Sequence, residues 1–348
     1  MRMRICKSIF AFLALTMAST PVFAWGPDGH EMVGAIADRL LKPNAAQQVK
    51  QILKFTLQQA APWPDCVRSI VRKDDGTNDS RNFDYLPSPF HPEYRTPCKI
   101  FESKEELDRM RDYARRNWLN CTYIIGKAGN CHEAFHFADV AIQRDGYDRR
   151  HVGTNDHDIV SAINAAIFVL QGRPVPPPPF FIKDKQEALF LLAHFVGDIH
   201  QPLHVGAVYL DANGTRVDPD RDGLDRDTET NGGNLINFGA PHQNLHSAWD
   251  DIPDKWGNTP DEAMLADARA VPPTSGPISG WAASWASDTL KQARDAFAPL
   301  KFSAVDNGRW TAQVADKPAY DQEAEKIKRA QLAKGGARLA QVLNSIWP

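Results

Sequence analysis

The chain has 348 residues, 43% of them hydrophobic and 24% charged, averages that exclude a disordered, collagenous or coiled-coil protein. Its 40 Lys and Arg stand against 43 Asp and Glu, a formal charge of −3, which excludes a protein that grips duplex nucleic acid through excess positive charge and counterion release. Length alone allows one large domain or two ordinary ones, and a chain this long needs neither metal nor disulfide merely to fold.

In chain order, Arg2, Arg4 and Lys7 form a basic start, an apolar run follows over 9–18, and Val22-Phe23-Ala24 supplies a small-x-small cleavage pattern. These features predict a secretory signal over 1–24, removed after Ala24. The apolar run is short of the ~20 residues a membrane span needs. No later segment is long and apolar enough to span, so a soluble, secreted or periplasmic product is expected. Apolar residues at helical spacing predict helices over 29–41, 45–59, 103–117, 156–171, 184–200, 281–297 and 321–345. Strand-like alternation is confined to 134–140 and 234–238. The Pro-rich run 174–179 is too short for an interdomain linker and reads as a stiff connection between helices. A mainly α, single-domain chain over 25–348 is the simplest architecture, and a monomer is expected.

Export bears on the cysteines. Cys6 leaves with the signal, and Cys66, Cys98, Cys121 and Cys131 remain, enough for two disulfides with three connectivities. Cys121 and Cys131 bracket a short Gly-containing segment and are the easiest pair to bridge, which leaves Cys66 with Cys98. No Cys-x-x-Cys pair points to a zinc-thiolate site.

Histidines and carboxylates fall into a different pattern. In HFVGDIHQPLH, His194 and Asp198 are four apart and share a helix face. Pro202 stops that helix, so His204 follows just beyond its end. LHSAWD repeats the four-residue spacing with His246 and Asp250, while Asp65, His136 and His30 lie upstream. One such residue would usually be structural; two i,i+4 His/Asp pairs point to a metal centre. Imidazole and carboxylate without thiolate suit catalytic zinc. A new N-terminus at Trp25 could chelate through its amine and carbonyl oxygen, or Trp25 could be an ordinary apolar residue.

WGPDGH at 25–30, WPDCVR at 63–68, FHFAD at 135–139, HFVGDIHQPLH at 194–204, GGNLINF at 232–238 and LHSAWD at 245–250 follow one another in a familiar order. The chain resembles the trinuclear-zinc single-strand-specific nucleases and 3′-nucleotidases of the mould and mung-bean type, whose helical fold is shared with zinc-dependent phospholipase C. The resemblance implies three zinc ions. The first would be held by Asp65, His136, His194 and Asp198, the second by His204, His246 and Asp250, and the third by Trp25, His30 and the bridging Asp198. It further implies an enzyme that hydrolyses single-stranded DNA and RNA to 5′-nucleotides and dephosphorylates 3′-mononucleotides. A zinc-bridging hydroxide would attack phosphorus in line, with Asp65 orienting it and Arg68 meeting charge on the transition state. Phe137 would stack on a base, Asp139 would face the base edge, and Asn234 would donate on the phosphate side. His132, His200 and His242 fall outside the pattern.

The chain departs from the family in an acidic insertion over 206–231. Within it, Asp218, Asp220, Asp222, Gly223 and Glu229 have the spacing of a twelve-residue calcium loop, although Asp225 occupies a position that is usually apolar. The segment reads either as a solvated acidic loop or as a calcium site. Two other functions remain open: a zinc-dependent phospholipase C, disfavoured by the Trp25-to-His30 spacing with Phe137 and Asp139, and a non-catalytic exported zinc-binding protein, disfavoured by Arg68.

Overall fold

The computed structural model describes residues 25–73, 80–87, 92–118, 131–173, 179–240 and 243–348. The signal segment 1–24, Cys121 with its pairing to Cys131, His242, and all but the last residue of the Pro-rich run lie outside them. Helix dominates the described residues, as the periodicity predicts, and its start signals are visible in the sequence. α1 (Pro27–Leu40) and α2 (Pro43–Ile52) each open on a proline, whose missing N–H costs nothing in a first turn. The predicted helix over 45–59 is broken after Ile52. Thr56 begins α3 (Leu57–Ala60) instead, its hydroxyl accepting from the Gln59 amide and the Gln59 side chain returning to the Thr56 N–H. That reciprocal cap overrides a continuous apolar spacing.

Short helices α4 (Trp63–Val67) and α5 (Arg95–Cys98) come next, with strands β1 (Ile70–Arg72) and β2 (Phe83–Tyr85) pairing antiparallel between them. α6 (Lys104–Arg116) is capped by Ser103, and α7 (Cys131–Ala134) is a single turn. The alternation at 134–140 yields only β3 (Val140–Ala141), after an extended stretch. α8 (Ile159–Leu170) and α9 (Lys185–Asp198) are capped by the side chains of Asp158 and Asp184. After α9, a 3₁₀ turn over Pro202–His204 leads into β4 (Gly206–Ala207), parallel to β3. The insertion holds β5 (Tyr209–Leu210) and β6 (Arg216–Val217), an antiparallel pair, and one helical turn, α10 (Pro219–Asp222). β7 (Ile236–Asn237) and α11 (Leu245–Asp250) follow, then α12 (Glu262–Ala270) and α13 (Trp281–Phe297). β8 (Lys301–Phe302) and β9 (Trp310–Gln313) complete a small sheet with β7, and α14 (Lys317–Ile346) ends the chain.

α9 is the hub of the fold. Every residue from Glu187 to Asp198 is buried, and α1, α3, α4, α8 and α14 pack around it. A helix apolar on all sides belongs in the interior, so a His and an Asp on this one are held deep in the protein. α14 crosses α1 closely because residue 336 is glycine: a Cβ there would come within 2.4 Å of the Ile36 Cβ. The main core runs through these helices, and a second apolar cluster beneath the β7–β9–β8 sheet supports α11 through Leu245 and Trp249.

Candidate metal centre

Four segments converge on the inner end of α9. α1 supplies His30 and α4 supplies Asp65. The turn after α7 supplies His136, and the main chain that follows fixes it beside the 3₁₀ turn: the Ala138 amide donates to the His204 carbonyl at 2.8 Å and the Val140 amide to the Val205 carbonyl at 2.9 Å. α11 supplies His246 and Asp250 on one face. Among the described residues, three groups of buried side chains bring ligand atoms within 4.8 Å of one another: His30, His194 and Asp198; Asp65, His136 and His194; and His204, His246 and Asp250.

Three of the imidazoles are oriented by main-chain oxygens. Nδ1 of His194 meets the Ala61 carbonyl at 2.7 Å, Nδ1 of His204 meets His136 O at 2.8 Å, and Nδ1 of His246 meets Gly232 O at 2.7 Å. A carbonyl accepts, so each Nδ1 carries the proton and each Nε2 presents a lone pair. Nε2 of His204 and Nε2 of His246 then face each other at 3.0 Å, and Nε2 of His194 faces Nδ1 of His136 at the same distance. Lone pairs that face each other, as those of His204 and His246 do, repel at that range, whereas a cation between them is bound by both; Nδ1 of His136 lies equally close to Asp198 Oδ2, at 3.0 Å. Two nitrogens about 2.1 Å from a tetrahedral zinc stand about 3.4 Å apart. His30 Nε2 lies 3.3 Å from Asp198 Oδ1, and His246 Nε2 lies 3.6 Å from Asp250 Oδ2. Both Asp65 oxygens, Asp198 Oδ1 and both nitrogens of His30 are buried without hydrogen bonds. Orphaned ligand atoms of these types fit divalent zinc.

The electrostatics agree. Burial pushes the Asp198 carboxyl up to about 7 and Asp250 well above the usual carboxylate range, despite pull from His194 and Gln201 respectively. Burial likewise holds His30 and His136 well below the ordinary imidazole value. For His194 burial acts in that direction too, but Asp198 and Asp65 outweigh it and raise its pKa. Without a cation the shell must trade protons; a dication would take their place and invert that logic.

Trp25 is fully buried, its indole N–H donating to Gly197 O at 2.9 Å. The Gly26 amide donates to Asp250 O at 3.0 Å, tying the start of α1 to the end of α11. Arg68 Nη1 stands 3.5 Å from Asp65 Oδ1. Beside this shell, Phe137 and Asp139 line a cleft with Asn155, His157, Tyr209 and Glu229. Asn231, Gly232 and Gly233 all have positive φ, and this left-handed turn aims the Gly232 carbonyl at His246. A Cβ on Gly232 would lie 2.8 Å from Leu203 O, with His246 and Asp139 close on its other sides. The Asn234 side-chain amide donates to Asn231 O at 2.9 Å and closes the same turn.

The calcium arrangement is not formed. Asp218 pairs with Arg144, Asp220 accepts from the Val152 amide at 2.7 Å, and Asp222 takes Arg221 Nε at 3.0 Å. α10 folds inside the would-be loop, and Glu229 turns away into the cleft. His200 and His132 lie apart from the ligand groups: His200 contacts Val196 O and Arg338, and His132 packs on Tyr113 and Trp118. Three supporting residues carry no metal-like spacing in the sequence. Gln201 Nε2 donates to Asp250 Oδ1 at 2.6 Å, the Tyr94 hydroxyl stands 3.5 Å from Trp25 O, and Lys328 Nζ donates to the carbonyls of Ala248 and Asp251. The predicted Cys66–Cys98 disulfide is present, beside Asp65.

A family profile described as S1/P1 Nuclease matches residues 25–348. Nuclease PA3 of Penicillium sp and Nuclease P1 of Penicillium citrinum are each 32% identical over 181 residues, 46% of this chain. The matched stretch spans 57% of the length of both relatives. Endonuclease 3 of Arabidopsis thaliana is 22% identical over 97% of the chain and 94% of its own length.

Proposed function

The chain belongs to the S1/P1 nuclease family, and on that premise we propose that it is a zinc-dependent hydrolase of single-stranded DNA and RNA. Its products would be 5′-phosphorylated nucleotides, and it would also dephosphorylate 3′-mononucleotides. The observation that carries this reading is the pair of Nε2 lone pairs of His204 and His246, which face each other at 3.0 Å, in a shell where both oxygens of Asp65 and Oδ1 of Asp198 are buried without hydrogen bonds. Asp65, His136, His194 and Asp198 would hold one ion; His204, His246 and Asp250 a second; Trp25, His30 and Asp198 a third. Bound there, zinc supplies water activated near neutral pH and positive charge for a departing oxygen.

The protein's own groups do the rest. Asp65 accepts a hydrogen bond from the attacking water and orients it toward phosphorus. Arg68, beside that carboxylate, meets the charge gathering on the phosphoryl oxygens. Phe137 offers a ring at the cleft on which an unpaired base stacks, an interaction that paired bases cannot make without leaving the duplex. Such a protein acts outside the cytoplasm, secreted or periplasmic, as a single domain over 25–348. Among the described residues, no helix is long and apolar enough to cross a membrane.

The test is incubation of protein starting at Trp25 with single-stranded DNA, RNA and phosphatidylcholine, with and without chelator. Both nucleic acids should fall to 5′-nucleotides, chelation should stop the reaction, and added zinc should restore it. Intact nucleic acid with cleaved lipid would make the chain a phospholipase C. No cleavage at any zinc level would leave a zinc-binding protein.

A further inference from the structure

The cleft beside the ligand shell holds a second carboxylate that the proposed chemistry does not use. Glu229 comes from the acidic insertion, where its backbone bridges antiparallel to Tyr209. It is 8% exposed, yet no hydrogen bond reaches its buried Oε1. It lines the same cleft as Phe137 and Asp139. Asp139 is held from behind: its amide donates to Gly153 O at 3.2 Å, and its own carbonyl accepts from the Tyr209 hydroxyl at 2.8 Å. The two carboxylates are close enough that Glu229 reinforces the rise which burial gives Asp139, to about 7. A buried acceptor without a donor costs free energy unless a ligand supplies the donor.

A metal ion is one such partner, but neither Asp139 nor Glu229 belongs to a group able to hold one among the described residues. A base stacked against Phe137 would bring N–H groups into this cleft, within reach of the carboxylate that lines it. We propose that Glu229 is a specificity-determining residue of the base cleft, accepting N–H donors from the base edge and favouring guanine. Guanine alone carries two adjacent donors on its Watson–Crick edge, N1–H and the N2 amino group, matching the two oxygens of one carboxylate. Adenine and cytosine each offer one amino donor beside a ring-nitrogen acceptor, which would meet the second oxygen lone pair to lone pair. Uracil and thymine present a single N–H between two carbonyls. The proposal rests on the nuclease reading only for the placement of a base over Phe137.

Equilibrium binding of 5′-GMP, 5′-AMP, 5′-CMP and 5′-UMP to the zinc-loaded protein tests it by calorimetry, independently of cleavage. The expected result is at least about tenfold tighter binding of 5′-GMP, from a bidentate contact of ordinary strength. Glu229→Gln, which turns one acceptor into a donor, should bring that ratio close to one. Glu229→Ala should lower it without adding a donor, so misfolding of one variant leaves the other as a test. Equal binding of all four nucleotides by the unaltered protein, or an undiminished guanine preference in both variants, would overturn the proposal. Cleavage of single strands without base preference would sink this inference and leave the nuclease reading standing. Guanine preference in a chain that cleaves nothing would do the reverse.

Discussion

At the scale of single residues, identity was legible and partnership was not. His194, Asp198, His246 and Asp250 announce a shared face by four-residue spacing, and the structure places each pair on one helix face. Glu229 has the same chemistry as a calcium ligand, and its position in an acidic repeat suggested one. Only the folded insertion shows its side chain lining the cleft instead. Asp139 gives a prediction at this scale. Burial, reinforced by Glu229, raises its folded pKa to about 7, above about 3.9 unfolded. Its neutral form is favoured in the fold, so the contribution to stability is full below pH 4 and is lost as pH rises through 7. Denaturant unfolding at pH 5 and pH 8 should show this loss, and Asp139→Asn should flatten it relative to the unaltered protein. Parallel pH profiles for the two proteins would refute the assignment.

At the scale of elements, periodicity located the long helices well because each buries one face against its neighbours, and burial is what the spacing encodes. It failed over 45–59, where α2 stops at Ile52 and the Thr56–Gln59 cap begins another helix without disturbing the apolar pattern. Short pieces such as α10 and β3 leave almost no periodic signal to read. The end of α11 was equally hidden, because its stabilising partner comes from far along the chain. Lys328 on α14 donates to Ala248 O and, at 2.6 Å, to Asp251 O, closing carbonyls that flank the proposed ligand Asp250. Lys328→Met removes both donors and fills the space with a thioether. A stability loss of about 1–3 kcal/mol is expected from the carbonyls left unpaired. Zinc should also leave faster during chelator challenge, with part of the bound metal released early. Unchanged release kinetics in a less stable variant would show that Lys328 supports only the helix.

At the scale of the whole molecule, composition set the class but gave no hint of a hub helix or of the convergence upon it. That convergence depends on contacts between residues far apart in sequence, such as Trp25 with Gly197. Counting cysteines left three connectivities, and the spacing of Cys121 and Cys131 favoured the Cys66–Cys98 bridge that is present; its consequence follows from where it lies. It closes a separation of 32 residues, worth about 3–4 kcal/mol in a chain-entropy view, and it fastens α4 beside the proposed ligand Asp65. The double variant Cys66→Ala, Cys98→Ala should unfold at lower denaturant concentration by about that free energy. Equal midpoints for bridged and unbridged protein would remove the disulfide from the account of stability.

One of the three carbonyls behind the imidazoles ties two of the candidate ligand groups together. His204, in one group, holds its ring through the main chain of His136, in another, and His246 hangs from the turn that also abuts Asp139. A ring that rotates to release its ion therefore pulls on the backbone that aims its neighbour. Ions held in such a framework would be taken up and given up together. Occupancy would then behave as a single cooperative switch between a loaded and an empty protein, with few partly filled forms between.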